Sequence, residues 1–390
     1  IGAVAVVETT TGRVLDAVET PLQVKPEEFP RDVSDPVLQT LAARGGRAVR
    51  EAKFSYRAEH AVIGDLDRDG VEELVVSDGN RLRVYRLTDR IDEQPPTLLA
   101  EEPDDQPRRR HLALDSADIH GLGRPQLFVT AMVGDRLDSY ALAWQGGRLT
   151  PVAEHQPYYF RVLAAPGQPA RLLAQRRALT APFAGEVVRL RWTGLAYEEG
   201  DAMALPPSVG IYDFILADLD RDGRDELLYL DPQDLLIVLD ETGERLGASE
   251  ERFGGVESFI DYIPGGITRG SDSPPARARV PARMLVADVD GDGALDVMVP
   301  KNVPLTKRIE RIRGYQYGQV FALGWDGGRL AQKWVIPRVE GVIADIGLVR
   351  AGTDGGAQVL VLANPTFTAA VLEDFFATSS RVLLYAVPRG

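Results

Sequence analysis

Cysteine is absent from the 390 residues. That removes disulfides, thiolate metal ligands and a thiol nucleophile from consideration without fixing the compartment. Long apolar runs are missing too: no stretch reaches the roughly 18 residues that a membrane-spanning helix needs. Positive charge is in deficit. The net charge is −14, the reverse of the basic face expected of a general nucleic-acid binder. Histidine is scarce, and His60, His111, His120 and His155 fall in no zinc-type spacing or nucleophile motif. His120 reads as a capping side chain. No glycine-rich phosphate cradle occurs, and the short run Arg108-Arg-Arg110 reads as solvated surface. No catalytic residue is assigned. The hydrophobic content of 44% is ample for a core. Length alone favours two or three domains, although a barrel or propeller can be one larger unit. The first residue is Ile1 rather than Met, and the expectation is of a natural start further upstream.

What is present is one acidic stretch used three times. Asp288-Val-Asp-Gly-Asp-Gly-Ala-Leu-Asp296 reads D-x-D-x-D-G-x-x-D. Asp65–Glu73 and Asp218–Glu226 repeat it, with Glu at the last position. Each copy lies between two short apolar runs, so the unit is strand, acidic turn, strand. A hard cation such as Ca²⁺ takes about 6–8 oxygen ligands. Alternate residues of a tight loop can turn carboxylates inward, which selects Asp65, Asp67 and Asp69, then Asp218, Asp220 and Asp222, then Asp288, Asp290 and Asp292. Gly70, Gly223 and Gly293 permit the sharp turn. The next residue (Val71, Arg224 or Ala294) would offer its main-chain carbonyl, which leaves its side chain free to vary. Glu73, Glu226 and Asp296 return a last carboxylate. Without a cation, such clustered carboxylates repel one another. The loop is no EF-hand, because strands and not helices flank it.

Strand-one turns recur at Asp65, Asp118, about Ala165, Asp218, Asp288 and Asp345, at steps of roughly 50 residues. Ala141-Leu-Ala-Trp-Gln-Gly-Gly-Arg-Leu149 resembles Ala322-Leu-Gly-Trp-Asp-Gly-Gly-Arg-Leu330, and Leu190-Arg-Trp-Thr-Gly-Leu195 is a weaker copy, which puts Trp144, Trp192 and Trp325 at one repeat position, read as packing between repeats. Four strands at this period predict an all-β six-bladed propeller over 52–390. The turn at Asp118 has lost most of its carboxylates, the one near Ala165 is merely a turn and the one near Asp345 is degraded, so metal is assigned to blades one, four and five. The chain runs out after three strands of the last blade, and residues 52–57 are expected to supply the fourth, which removes an open edge. Residues 1–51 read as a hairpin, Val4–Glu8 with Val14–Glu19, then a helix capped by Asp35. They are either the end of an α/β domain or an appendage on the main body.

The three acidic loops resemble the FG-GAP/VCBS repeat, the family of the integrin α propeller and of many bacterial envelope proteins. The Phe-Gly and Gly-Ala-Pro signatures are missing, so the resemblance is to the bacterial branch, and no integrin ligand site is carried over. It implies three Ca²⁺ sites: Asp65, Asp67, Asp69 and Glu73; Asp218, Asp220, Asp222 and Glu226; Asp288, Asp290, Asp292 and Asp296. Residues 1–51 resemble the end of the lipoprotein-type domain that precedes such propellers in some Gram-negative envelope proteins.

The long elaborations, 264–283, 301–318 and 365–380, are expected on the face opposite the acidic loops. The last of them contains a short apolar helix with Val371, Leu372, Phe375 and Phe376. Two of them are basic. Arg269, Arg277, Arg279 and Arg283 lie in the first, and Lys301, Lys307, Arg308, Arg311 and Arg313 in the second. They read either as a docking patch for an acidic partner, glycan or lipid head group or as solvated loops. The functional expectation is a non-enzymatic recognition scaffold of the periplasm, outer membrane or extracellular space. The alternatives are a polysaccharide lyase or hydrolase, or a subunit of a larger envelope assembly.

Overall fold

A computed structural model of the chain describes residues 4–7, 14–18, 48–87, 91, 95–103, 106, 108–178, 181–255, 258–262, 276–304, 315–350, 357–366 and 379–387. The chain divides into two compact units, 1–40 and 41–390. In the first, Val4–Val7 pairs antiparallel with Val14–Val18, as expected of the hairpin. The helix expected after Asp35 and the apolar run 371–376 lie outside the described residues, as do Arg269, Lys307, Arg308, Arg311 and Arg313.

The second unit is a six-bladed β-propeller, each blade built on a four-stranded antiparallel meander, to which blade two adds the two-residue strand Arg136–Leu137 paired with Gln126–Val133. Blade one is His60–Gly64, Glu73–Ser77, Arg81–Arg86 and Thr97–Pro103. Blade two is Arg109–Ala117, Gln126–Val133, Ser139–Gln145 and Arg148–Gln156, and blade three is Tyr159–Leu163, Arg171–Arg176, Ala184–Trp192 and Tyr197–Ala202. Blade four is Phe214–Ala217, Glu226–Leu230, Leu235–Leu239 and Arg245–Arg252, and blade five is Leu285–Ala287, Asp296–Pro304, Tyr315–Trp325 and Leu330–Glu340. Blade six is Val342–Arg350, Ala357–Asn364 and Arg381–Ala386, closed by Ala48–Lys53. The closing strand therefore lies four residues earlier than the expected 52–57, with Val382 opposite Ala52 and Leu384 opposite Arg50.

Strands buried on both faces read as continuous apolar runs, because a blade packs against a neighbour on each side. Accordingly, buried clusters span the blade junctions. Leu74, Tyr85, Leu360 and Leu384 join blades six and one, so the two ends of the ring share a core. Trp144 packs at the junction of blades one and two, and Trp325 at that of four and five. Trp192 stacks on His120 of blade two at 4.1 Å between ring centroids. The repeated tryptophans thus pack one blade on another. His120 is part of that packing rather than a cap, its Nε2 lying 2.8 Å from the Tyr197 hydroxyl.

Two expectations change. Asp345 marks no turn: it lies within the strand Val342–Arg350. The Ala344-Asp345 pair imitates Ala217-Asp218 and Ala287-Asp288 in sequence, yet the strand runs on to Arg350. The segment 264–283 is also more than a loop, for Ala276–Val280 pairs with Ser258–Tyr262 as a two-stranded ribbon. Ile260 and Val280 of the ribbon pack with Leu112, Tyr159 and Tyr212. Tyr159 and Tyr212 stand at or just before the start of first strands and Leu112 in the first half of one, toward the end opposite the acidic turns.

Candidate metal loops and the central ion cluster

The same two hydrogen bonds fold each acidic loop. The first Asp accepts from the backbone N–H of the sixth residue: Gly70 to Asp65 at 3.0 Å, Gly223 to Asp218 at 3.1 Å, Gly293 to Asp288 at 3.0 Å. The ninth residue accepts from the second: Leu66 to Glu73 at 2.9 Å, Leu219 to Glu226 at 2.7 Å, Val289 to Asp296 at 3.1 Å. Positions one, three and nine converge. Oxygens of Asp65, Asp67 and Glu73, of Asp218, Asp220 and Glu226, and of Asp288, Asp290 and Asp296 lie within 4.8 Å of one another in each set.

Asp69, Asp222 and Asp292 are arranged differently. One oxygen of each accepts from the amide two residues on. The other meets a cation: Arg86 for Asp69, Arg224 for Asp222, and Lys333 at 2.5 Å for Asp292. Arg86 also reaches Asp67 at 2.7 Å, and Lys333 reaches Asp290 at 3.2 Å. Blades one and five therefore carry a built-in cation beside the acidic set. In blade four, Arg224 instead turns to Asp222 and Glu241. Neither Arg86 nor Lys333 is singled out by the sequence, although Arg86 stands directly across the sheet from Glu73.

The ninth carboxylates are the most telling groups. Glu73 and Asp296 are fully buried and Glu226 is 3% exposed. Glu73 Oε1, Asp296 Oδ1, Asp65 Oδ1 and Asp218 Oδ1 are buried and accept no hydrogen bond. The cations do not satisfy the first two, since Arg86 stands 3.4 Å from Glu73 Oε1 and Lys333 3.5 Å from Asp296 Oδ1 without hydrogen-bond geometry. Burial, with the neighbouring aspartates, pushes the Glu73 carboxyl up to about 7. Burial does the same to Asp296, up to about 6, and raises Glu226. Several anionic oxygens around one point, some lacking any donor, suit a hard divalent cation, so the residues fit the group expected from the sequence.

A second cluster, unforeseen from sequence, occupies the ring's centre. Arg283 was read as part of a basic surface patch, but its side chain is 12% exposed. It donates to Asp345 at 2.7 Å, to Asp115 at 3.1 Å, and to the carbonyls of Ala61 and Leu114 at 3.2 and 2.5 Å. Asp345 also accepts from Ala61 N–H, and Asp115 from Val162 N–H, both at 3.0 Å. One guanidinium entering blade five thus ties blades six, one and two, which explains why it is buried. Burial works against its charge, but Asp345 and Asp115 more than offset that. The other described basic residues of the elaborations are paired as well: Arg277 with Asp261, Arg279 with Asp234, and Lys301 with Glu251.

On the acidic-turn side of this cluster lies a cavity of about 1040 Å³, walled by the first strands, with Asp65, Val71 and Asp225 on its lining. On the ribbon side lies a smaller one of about 150 Å³. No helix among the described residues is long and apolar enough to cross a membrane.

No protein-family model matches the chain, and no curated protein does. Solved structures do. The chain is similar to BBS1N from its complex with ARL6DN at 14% identity, covering 86% of this chain and 94% of that one, with a TM-score of 0.44. It is similar to the exotype rhamnogalacturonan lyase YesX at 14% identity, covering 85% and 72%, with a TM-score of 0.38. It is also similar to a putative glucose dehydrogenase-type oxidoreductase of Thermus at 15% identity, covering 86% and 99%, with a TM-score of 0.42. Likenesses this distant carry no argument about activity or partner.

Proposed function

We propose that this chain is a calcium-binding propeller of the FG-GAP/VCBS kind that serves as a non-enzymatic recognition scaffold in the cell envelope or outside the cell. The observation that carries the metal reading is the buried carboxylate oxygen left without a donor in Glu73 and Asp296. A buried carboxylate oxygen without a hydrogen bond costs free energy comparable to that lost bond, and a bound Ca²⁺ removes that cost. The ion's role is structural: it pins the strand 1–2 turns of blades one, four and five. Extracellular calcium modules bind at about 10⁻⁴–10⁻³ M, a range that suits a calcium-rich compartment and supports an envelope or extracellular address. The scaffold reading is supported by the ribbon and the long blade-five hairpin, which present elaborated surface at the end away from the metal loops, on a rigid ring. The partner is a protein or glycan that meets this face.

A chelator tests the metal: calcium is expected to raise the melting temperature and EDTA to lower it, and indifference to both rejects the reading. Recovery of the native complex, with cross-links mapped to residues 264–283 and 301–318, tests the scaffold. The 1040 Å³ central cavity favours one second reading, a polysaccharide-active enzyme working at the ring's opening. Cleavage in a panel of acidic polysaccharides would establish that reading.

A further inference from the structure

We propose that the smaller central cavity, on the ribbon side of the ion cluster, binds a carboxylate, carried either by a small apolar-bodied acid or by the end of a peptide chain. The site is separate from the metal loops and does not depend on their occupancy. Its volume is about 150 Å³, the size of cavity that accepts a benzene-sized guest. Two buried polar groups on its lining lack partners. Arg161 is 6% exposed, and its Nε donates to nothing; the nearest acid, Asp115, stands 3.9 Å from another of its nitrogens, beyond hydrogen-bond reach. His60 is 8% exposed, and its Nε2 is likewise without a partner.

The surrounding charge has the sign the ligand needs. Arg57, Arg110, Arg161 and Arg283 line the cavity against Glu59 and Asp345, a net positive enclosure in a protein of net charge −14. Arg283 is committed to Asp345, Asp115 and two carbonyls, and Arg110 donates to the Phe259 carbonyl, whereas Arg161 holds a buried donor with no acceptor. Burial lowers its pKa, offset only in part by Asp115, so an anion would restore what desolvation removes. Burial pushes His60 down to about 4, against Asp345 and a hydrogen bond to the His111 backbone, so its free Nε2 donates to the ligand by taking up a proton as the anion enters. A planar monoanion matches a guanidinium edge. A tetrahedral dianion would set two charges beside Asp345. Leu112, Tyr212, Val280 and Pro281 complete the wall and suit a short apolar body.

The test is calorimetric titration of the full chain with propionate and benzoate at constant ionic strength, against chloride and sulfate. Saturable binding of a carboxylate is expected with a Kd on the order of 1 mM, with chloride and sulfate weaker. Arg161→Gln is expected to weaken it at least tenfold in protein that still shows a cooperative melt. If that variant does not fold, His60→Gln takes its place, with an expected loss of threefold or more. A hydrophobic tripeptide with a free C terminus, compared with its amide, separates the sources. Binding of the acid form alone assigns a chain end, and binding of propionate without the tripeptide assigns a free acid. The proposal is overturned if carboxylates bind no better than chloride, if sulfate binds tighter, or if folded Arg161→Gln retains full affinity.

Discussion

The acidic turn of blade one and its relative in blade two make the same fold with different chemistry. In blade two, Asp118 accepts from the N–H of Gly123, as Asp65 does from Gly70. Gln126 stands where Glu73 stands and accepts from Ile119 N–H at 3.0 Å, as Glu73 does from Leu66. The difference is the second head-group atom. In Gln126 it is an amide nitrogen that donates to the Arg124 carbonyl at 2.8 Å. In Glu73 it is a buried oxygen with no donor. A neutral amide therefore suffices to shape the turn, and the carboxylate is surplus to folding. The first Asp persists in all four loops because it closes the turn. The third, fifth and ninth acids persist only together.

The largest expected effect comes from converting the intact loops to the blade-two chemistry. Glu73→Gln, Glu226→Gln and Asp296→Asn keep the amide-accepting oxygen and remove the charge. With calcium at a hundredfold its Kd, each lost site forfeits about 2.7 kcal/mol of stabilisation by mass action. The triple variant is therefore expected to lose the calcium-dependent rise in melting temperature, while its stability in EDTA equals or exceeds that of the parent. Calorimetry with and without EDTA reads both. A calcium-dependent rise that survives in the triple variant would place the ion elsewhere.

The reverse exchange is next in size. Gln126→Glu installs a buried anionic oxygen facing the Arg124 carbonyl in a loop whose third and fifth positions are His120 and Leu122. It is expected to cost about 1–3 kcal/mol, seen as a lower urea midpoint at unchanged slope, with no rescue by calcium. A neutral outcome would break the comparison, because the orphaned oxygen would then carry no penalty.

Smaller effects are expected from the built-in cations. Lys333 spans the loop of blade five, and Gly324, opposite Asp296, leaves room for its stem, since a Cβ at that glycine would collide with it. Lys333→Met and Arg86→Met keep the apolar stem and remove the competing charge. Each is expected to tighten calcium at its own loop about tenfold, roughly 1.4 kcal/mol, measured by titration in a background where the other two loops carry amides. The cost in EDTA is expected to be about 1 kcal/mol or less, because both pairs are partly exposed and screened. In blade four the cation, Arg224, pairs with Asp222 and Glu241 and forms no ion pair with the converging Asp218, Asp220 and Glu226 among the described residues, so its loop is expected to fill first.

How much of this was legible depended on distance along the chain. The acidic spacing, the flanking strands and the ring closure were readable because neighbours or a simple strand count determine them. The missing fourth strand of blade six announced itself, and only its position moved. Arg86 was readable in principle, as the cross-strand partner of Glu73 in a short hairpin. Arg283 was not. Its partners Asp345 and Asp115 lie 62 and 168 residues away. A lone arginine in a basic stretch looks the same whether it faces water or the centre of a ring. Asp345 misled in the same way: its local sequence imitates a loop start, and only tertiary pairing shows it to be a strand residue committed to Arg283.

Asp213 supplies the control that separates a buried acid from a metal-linked one, and the smallest expected effect. It lies just before the first strand of blade four, accepts from Gly210 N–H at 2.9 Å, and belongs to none of the acidic sets. Burial pushes its carboxyl up to about 6, with the Gly210 hydrogen bond and Arg279 opposing. An acid whose folded pKa is raised favours the folded state while protonated, so that contribution is complete below its unfolded value near 3.9. It is lost as pH rises through about 6. Between pH 5 and 8 the parent is expected to lose about 1 kcal/mol from this group, and Asp213→Asn to remove that slope equally in calcium and in EDTA. If instead the Asn substitution alters the calcium response, raised carboxyls throughout the ring are coupled to the ion, and the distinction between the blade-one and blade-two turns loses its local meaning.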